Sequence, residues 1–147
     1  QRDLCCARYG LPTFARLQEL VGARVWQTTH LGGHRFAPNV LALPQGILYG
    51  RVDVEEVDAF VTTIESGEVP RSHVRGRSAF PPEAQFAEMQ VAGRVEALLD
   101  IRDDRVRFRT NLGEEEVQVR SASIPMQIVA SCGDAESKDV YPISGTA

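Results

Sequence analysis

Apolar residues recur along the first half of the chain at spacings that separate helix from strand. After Pro12-Thr13, the residues Phe14, Leu17, Leu20 and Val21 fall at i, i+3, i+6 and i+7, which predicts a helix with one apolar face ending at Gly22. Val25 to Thr29 reads as a strand. Val40 to Leu43 and Ile47 to Val52 are two more apolar runs, joined by Pro44-Gln45-Gly46, the pattern of a hairpin. Asp53 followed three positions later by Glu56 has the form of an acidic capping box, so the Asp53 carboxylate is expected to accept the amide of Glu55 or Glu56. Val57, Phe60, Val61 and Ile64 then mark a helix that Gly67 stops.

Beyond Pro70 the pattern changes. Arg71 to Ser78 is polar, and His73 within it is expected to face solvent. Pro81-Pro82 opens a helix that Phe86, Ala87, Met89, Val91, Val95, Leu98 and Leu99 carry to about Leu99, across Gly93. Arg105 to Thr110 alternates, Asn111-Leu112-Gly113 turns, and Val117 and Val119 return on a second hairpin. Met126 to Ala130 is a short strand, and the tail from Gly133 to Ala147 reads as loop. The expected organisation is a core over residues 1–70 and, over 71–147, a helix and β-hairpin extension packed on the same domain. The class is α/β in the α+β sense.

Composition narrows what such a fold does. The chain has 147 residues, 43% hydrophobic and 24% charged, enough to bury a core without a disulfide scaffold. Its longest apolar runs are far short of the ~20 residues a membrane span needs, so no membrane is expected as partner. The first residues form neither a secretory nor a transit pattern, and there is no initiator Met. Twenty acidic against sixteen basic residues give a net charge of −4 without a basic stripe, which disfavours nucleic acid. Lys138 is the only lysine. The arginine excess reads as compositional bias or, functionally, as an arginine-lined partner patch. Cys5, Cys6 and Cys132 cannot make a disulfide framework and point to a reducing, cytoplasmic setting.

The candidate chemistry is concentrated in Thr28-Thr29-His30-Leu31-Gly32-Gly33-His34-Arg35-Phe36-Ala37-Pro38-Asn39, which holds two of the three histidines. Paired glycines are poor helix formers, so this segment is expected to be a loop whose backbone folds closely around a bulky group. Vicinal cysteines diverge in extended backbone, so one of Cys5 and Cys6, ahead of the first helix, is the candidate ligand. A thiolate and two imidazoles suit zinc, or an iron–sulfur centre in which His replaces some Cys; spacing does not choose between them. The plainer reading is a Gly-rich turn bearing surface histidines and cysteines packed under a helix. Cys132 is a candidate replacement ligand or a loop-end thiol. Glu114-Glu115-Glu116 is expected to be a solvated acidic run, not the pair of converging carboxyls that glycoside hydrolysis needs.

Arg2-Asp3-x-Cys5-Cys6-Ala7-Arg8-Tyr9-Gly10, Val25-Trp26, the run from Thr29 to Asn39, Arg75-Gly76-Arg77-Ser78 and Gln85-x-Ala87-Glu88 resemble the sucrase/ferredoxin-like family, from Gln1 to about Cys132. The resemblance implies a thioredoxin-like [2Fe–2S] ferredoxin whose cluster is held by two cysteines and two histidines. His30 and His34 match the histidine pair, and Cys6 matches the cysteine of the Cys-Cys pair. The family's other cysteine lies in a Cys-Thr-His-Gly-like stretch upstream of Gln1, together with the segment that supplies the first strand, so the chain is expected to be an ordered fragment of a longer protein. The implied function is that of an electron carrier with a redox partner protein, more than that of a catalyst. Imidazole ligation would raise the potential above that of an all-thiolate cluster, and protonation at a free ring nitrogen would couple it to pH. The competing classes are a zinc-binding or thiol-redox module on the same residues and a cofactor-free interaction domain. In every metal-binding reading Cys6, His30 and His34 must converge.

Overall fold

The computed structural model describes residues 4–129 and 135–146; Cys132 and the side chain of Cys5 lie outside the described residues. Mixed helices and antiparallel sheets make an α+β fold: α1 (Leu4–Val21), β1 (Asn39–Ala42), β2 (Ile47–Gly50), α2 (Val57–Glu65), β3 (Val74–Arg77), α3 (Pro82–Glu88), β4 (Val95–Arg102), β5 (Arg105–Thr110), β6 (Gly113–Ser121), β7 (Met126–Val129), β8 (Ser137–Val140) and β9 (Ile143–Thr146). The strands form sheets in the orders β1-β2-β3, β4-β5-β6-β9 and β7-β8. Two compact units result, one up to Arg75 with the described ends of the 129–137 segment, the other from Gly76 to Ile128 with the residues from Lys138 onward.

In the first unit the expected hairpin is present, pairing Asn39 with Gly50 through Ala42 with Ile47. Leu17, Ile47, Tyr49, Val52, Val57 and Phe60 form its core, and Tyr49 meets Phe60 edge to face at 5.0 Å. Helix α2 buries Val57 and Phe60, the face its spacing predicts. Helix α1 departs from expectation. It begins at Leu4, not at Pro12, so Cys5 and Cys6 lie in its first turn and not in a loop. A proline inside a helix forfeits one amide hydrogen bond; here the next residue fastens the turn from its side. Thr13, only 2% exposed, shares its hydroxyl between the carbonyls of Tyr9 (3.1 Å) and Val52 (3.0 Å). With Thr13 and Leu17 inward, Leu20 turns outward at 38% exposure.

Val25 to Thr29 is not a strand. It follows a 3₁₀ turn at Gly22–Arg24, and no strand of the three-stranded sheet pairs with it, so its β-branched residues have no ladder to join. Arg16 ties α1 to α2 through a two-pronged contact with Asp58 (2.7 and 2.6 Å). That hydrogen-bonded guanidinium holds the Asp58 carboxyl below its ordinary range.

The capping role expected of Asp53 is overturned. Its carboxylate makes no capping bond; instead its backbone carbonyl accepts the Glu56 amide at 2.9 Å, and the chain enters α2 through a 3₁₀ turn at Val54–Glu56. The tight turn uses the backbone acceptor in place of the side chain. Asp53→Ala should therefore shift stability by less than about 0.5 kcal/mol, where a working cap would cost about 1 kcal/mol. A denaturant midpoint displaced by the larger amount would restore the cap.

The second unit corrects the helix expected to run to Leu99. Helix α3 stops at Glu88, and Val95–Arg102 is strand β4, antiparallel to β5 with irregular register. The break is built around Gly93, where a Cβ would collide with the Thr110 side chain and with Glu115. The Glu115 carboxylate accepts the amides of Ala92 and Gly93 and the Thr110 hydroxyl, each at 2.9 Å. Glu115 is thus a structural acceptor and not a solvated member of an acidic run. Its neighbours Glu114 and Glu116 pair with Arg107 (2.8 Å) and Arg105 (3.0 Å). The hairpin β5-β6 closes at Thr110 and Gly113 as expected. The tail read as loop supplies β8 and β9, and β9 pairs along β6 from Gln118 with Thr146 to Ser121 with Ile143.

The core of this unit is Ala84, Ala87, Val91, Val95, Val106, Phe108, Val117 and Val119. Glu88 and Arg77, both largely buried, pair at 2.6 Å, and Gln85 donates to the carbonyls of Arg77 (3.1 Å) and Phe80 (2.8 Å). The Arg77 and Gln85-x-x-Glu88 motifs therefore fasten α3 to the strand before it. Glu88→Ala should cost about 1.5–3 kcal/mol, the range for a lost hydrogen bond to a charged group. Thermal unfolding that matches the parent would show the pair to be dispensable.

Candidate functional site

The histidine-bearing segment is a loop, as its glycines predict. Gly32 and Gly33 take left-handed conformations at φ 80° and 67°, which glycine adopts without steric penalty. The chain then makes a 3₁₀ turn at His34–Phe36, closed by the Phe36 amide donating to the Gly33 carbonyl at 2.9 Å. Asn39 donates from its amide nitrogen to the same carbonyl at 3.2 Å.

Arg75, on β3, locks this loop. Its Nη1 donates to Asn39 Oδ1 (3.0 Å) and to the Gly32 carbonyl (3.3 Å), and its guanidinium lies 4.6 Å from the centre of the Phe36 ring. A Cβ on Gly33 would collide with that guanidinium, so Gly33 is needed for space as well as for backbone conformation. Burial, and secondly the charge of Arg35, push the Arg75 pKa below its ordinary value. The loop sits on the end of β2. Arg51 donates its amide to the Phe36 carbonyl at 2.8 Å, and a Cβ on Gly50 would meet Arg75 Cδ at 2.7 Å and Phe36 Cβ at 2.8 Å.

Because Thr13 fastens α1 to Val52 at the same end of the sheet, the first turn of α1 meets the loop. Cys6 Sγ lies 3.5 Å from His34 Nδ1, and the His30 and His34 rings are 4.6 Å apart, tilted by 41°. Cys6 and His34 are half-buried and His30 is exposed. A thiol against an imidazole can exchange a proton, and the three side chains together offer one sulfur and two nitrogen donors. Among the described residues, no group of three or more His, Cys, Asp or Glu is drawn together closely enough to hold a metal ion.

His73 is not the solvent-facing residue expected. Its side chain is 12% exposed, its Nδ1 lies 3.3 Å from the Gly50 carbonyl, and its ring packs edge-on to Phe60 at 6.0 Å. It belongs to the packing of β2 and α2. Thr13, Asn39, Gly50 and Arg75, which hold the site together, carry no chemical signature of their own in sequence. The one signal for Arg75 was its place in the Arg75-Gly76-Arg77-Ser78 motif.

The family comparison bears on the same half of the chain. Residues 1–76 match the model of a family described as sucrase/ferredoxin-like. A 54-residue stretch is 44% identical to altered inheritance of mitochondria protein 32 of the yeast Meyerozyma guilliermondii, covering 34% of this chain and 19% of the yeast protein. The aligned stretch thus spans about a fifth of that relative's length. No solved structure gives a significant match.

Proposed function

The chain belongs to the sucrase/ferredoxin-like family, and from that premise we propose that it is an electron-transfer protein carrying a [2Fe–2S] cluster on a thioredoxin-like core. Cys6, His30 and His34 serve as ligands, with a further cysteine completing the set. The observation that carries this reading is the 3.5 Å separation of Cys6 Sγ and His34 Nδ1. A thiolate sulfur and an imidazole nitrogen brought this close from distant parts of the chain would together be able to hold such a centre. When bound, such a cluster takes up and releases one electron. The chain's own residues do the remaining work. Thr13 fastens the helix that bears Cys6, Arg75 and Asn39 hold the carbonyls of Gly32 and Gly33, and the 3₁₀ turn carries His34 to within 3.5 Å of Cys6.

The same contact favours a second reading, a thiol-redox module in which His34 activates Cys6; zinc on the same donors is a third. No helix among the described residues is long and apolar enough to cross a membrane. A reducing compartment such as the cytoplasm belongs to this proposal, since it keeps Cys6 from oxidation; the yeast relative's name concerns mitochondria. Anaerobic reconstitution with iron and sulfide decides among these readings. The expected product is red-brown, bleaches on reduction, and holds iron and sulfide in equal amounts. A colourless protein that retains zinc against iron would replace the cluster with a structural metal. A metal-free protein whose Cys6 is alkylated rapidly would replace it with thiol chemistry.

A further inference from the structure

Among the described residues six arginines face carboxylates: Arg16 meets Asp58 and Glu19, Arg24 meets Glu65, Arg77 meets Glu88, Arg102 meets Asp100, Arg105 meets Glu116, and Arg107 meets Asp100 and Glu114. Arg35, Arg51 and Arg75 do not. Among the described residues none of the three has a carboxylate partner; all three instead surround one ring. Their guanidinium carbons lie 4.6, 5.6 and 4.6 Å from the centre of Phe36. They are therefore no more than about 10 Å from one another, about one Debye length at 0.1 M salt, and their fields add.

Three further observations set this cluster apart from an incidental surface. Arg35 and Arg51 are exposed, so both are open to a ligand beside the ring. Arg51 adopts a left-handed backbone at φ 55°, a conformation that costs a non-glycine residue energy. Arg75 is partly desolvated beside a like charge, which weakens its hold on its proton. An incoming anion would offset the like-charge repulsion between Arg75 and Arg35.

We propose that Arg35, Arg51 and Arg75 around Phe36 form a docking surface for an acidic segment of a partner protein. On the electron-transfer reading above, on which this identification of the partner rests, that protein is the redox partner, and the patch is built around Phe36 and Arg35 of the loop that bears His30 and His34. Planar guanidinium edges match carboxylates two bonds at a time, and a local positive patch steers an acidic surface into register. A nucleic acid strand fits less well, because the chain carries a net charge of −4 and a long phosphate backbone would meet that field outside the patch.

The test uses a fluorescein-labelled peptide of eight glutamates and fluorescence anisotropy on the full chain, with no cluster required. Saturable binding at low salt, weakened as salt is raised, is expected. The double variant Arg35→Glu/Arg51→Glu should bind at least about tenfold more weakly, since like charges now face the peptide. The double variant Arg94→Glu/Arg109→Glu lowers the net charge equally at two exposed positions of the second unit, neither of them among the arginines at the Phe36 ring, and should lose less than about threefold. If charge reversal at Arg51 prevents folding, Arg35→Gln alone should still weaken binding by about threefold. No saturable binding by the parent, equal losses in the two double variants, or tighter binding of an eight-nucleotide single strand would each overturn the proposal. Peptide binding by a protein that takes up no cluster on reconstitution with its further cysteine present would keep the docking surface and remove the electron-carrier reading. A cluster without peptide binding would do the reverse.

Discussion

Cys6→Ser should remove most of the iron and the visible colour from the reconstituted protein, whereas His30→Cys and His34→Cys should keep a cluster with a lower potential. Serine at position 6 replaces a soft thiolate with a hydroxyl that stays protonated near neutral pH, so it cannot take over an iron–sulfur ligand. Cysteine in place of histidine supplies an anionic donor where a neutral one stood. This stabilises the oxidised cluster and should lower the potential by on the order of 100 mV or more, the direction that separates His-ligated from all-thiolate centres. Iron content, the visible spectrum and potentiometry read the three variants side by side. The surroundings also constrain the outcome. Position 34 follows a left-handed Gly33 packed on Arg75, so a shorter side chain there is carried on a fixed backbone and should find the same centre. Unchanged iron and potential in all three variants would end the ligand assignment.

Phe108→Ala should destabilise the second unit by about 3–5 kcal/mol, the range for removing a fully buried aromatic side chain. Phe108 has no exposed surface, lies 6.0 Å from the Phe80 ring, and shares its core with Val106, Val117, Ala84 and Ala87. Such close packing leaves the site little freedom to collapse around the missing ring, so a cavity term adds to the lost burial. For a unit of this size each kcal/mol lowers the midpoint of thermal unfolding by about 4–8 °C, a fall of well over ten degrees in all. Leu112→Ala, at a turn residue 70% exposed, should stay within about 0.5 kcal/mol of the parent. Similar losses for the two variants, measured by calorimetry, would mean that the β5 side of the sheet is not the core it is taken to be.

The sequence was legible where local physics had no competitor. The spacing of Val57, Phe60, Val61 and Ile64 predicted a helix with the face it buries, and Pro44-Gln45-Gly46 and Asn111-Leu112-Gly113 marked both hairpins. Paired glycines excluded a helix through His30 and His34. Where tertiary partners decide, reading failed in identifiable ways. Val95, Leu98 and Leu99 suit a helix face as well as a strand, and it is the pairing of β4 with β5, together with Glu115 capping the amides of Ala92 and Gly93, that ends the helix at Glu88. The stretch from Val25 had strand propensity and no neighbouring edge. Asp53 had the right spacing for a cap, yet its own carbonyl took the bond.

By itself the sequence determined the classes of donor available, the loop that carries two imidazoles, the elements with strong periodicity and the family to which residues 1–76 belong. All of these follow from residue identity and short-range spacing. That Cys6 stands 3.5 Å from His34 across 28 positions was decided only in three dimensions. It depends on a buried threonine fastening α1 to the end of β2 and on Arg75 filling the space beneath Gly33. Neither residue announces its role in sequence, because a hydroxyl shared between two carbonyls and a guanidinium resting on a ring acquire their meaning from partners tens of residues away. The arginine patch has the same origin: Arg35, Arg51 and Arg75 are scattered along the chain, and only the packing of Phe36 gathers their charges onto one face.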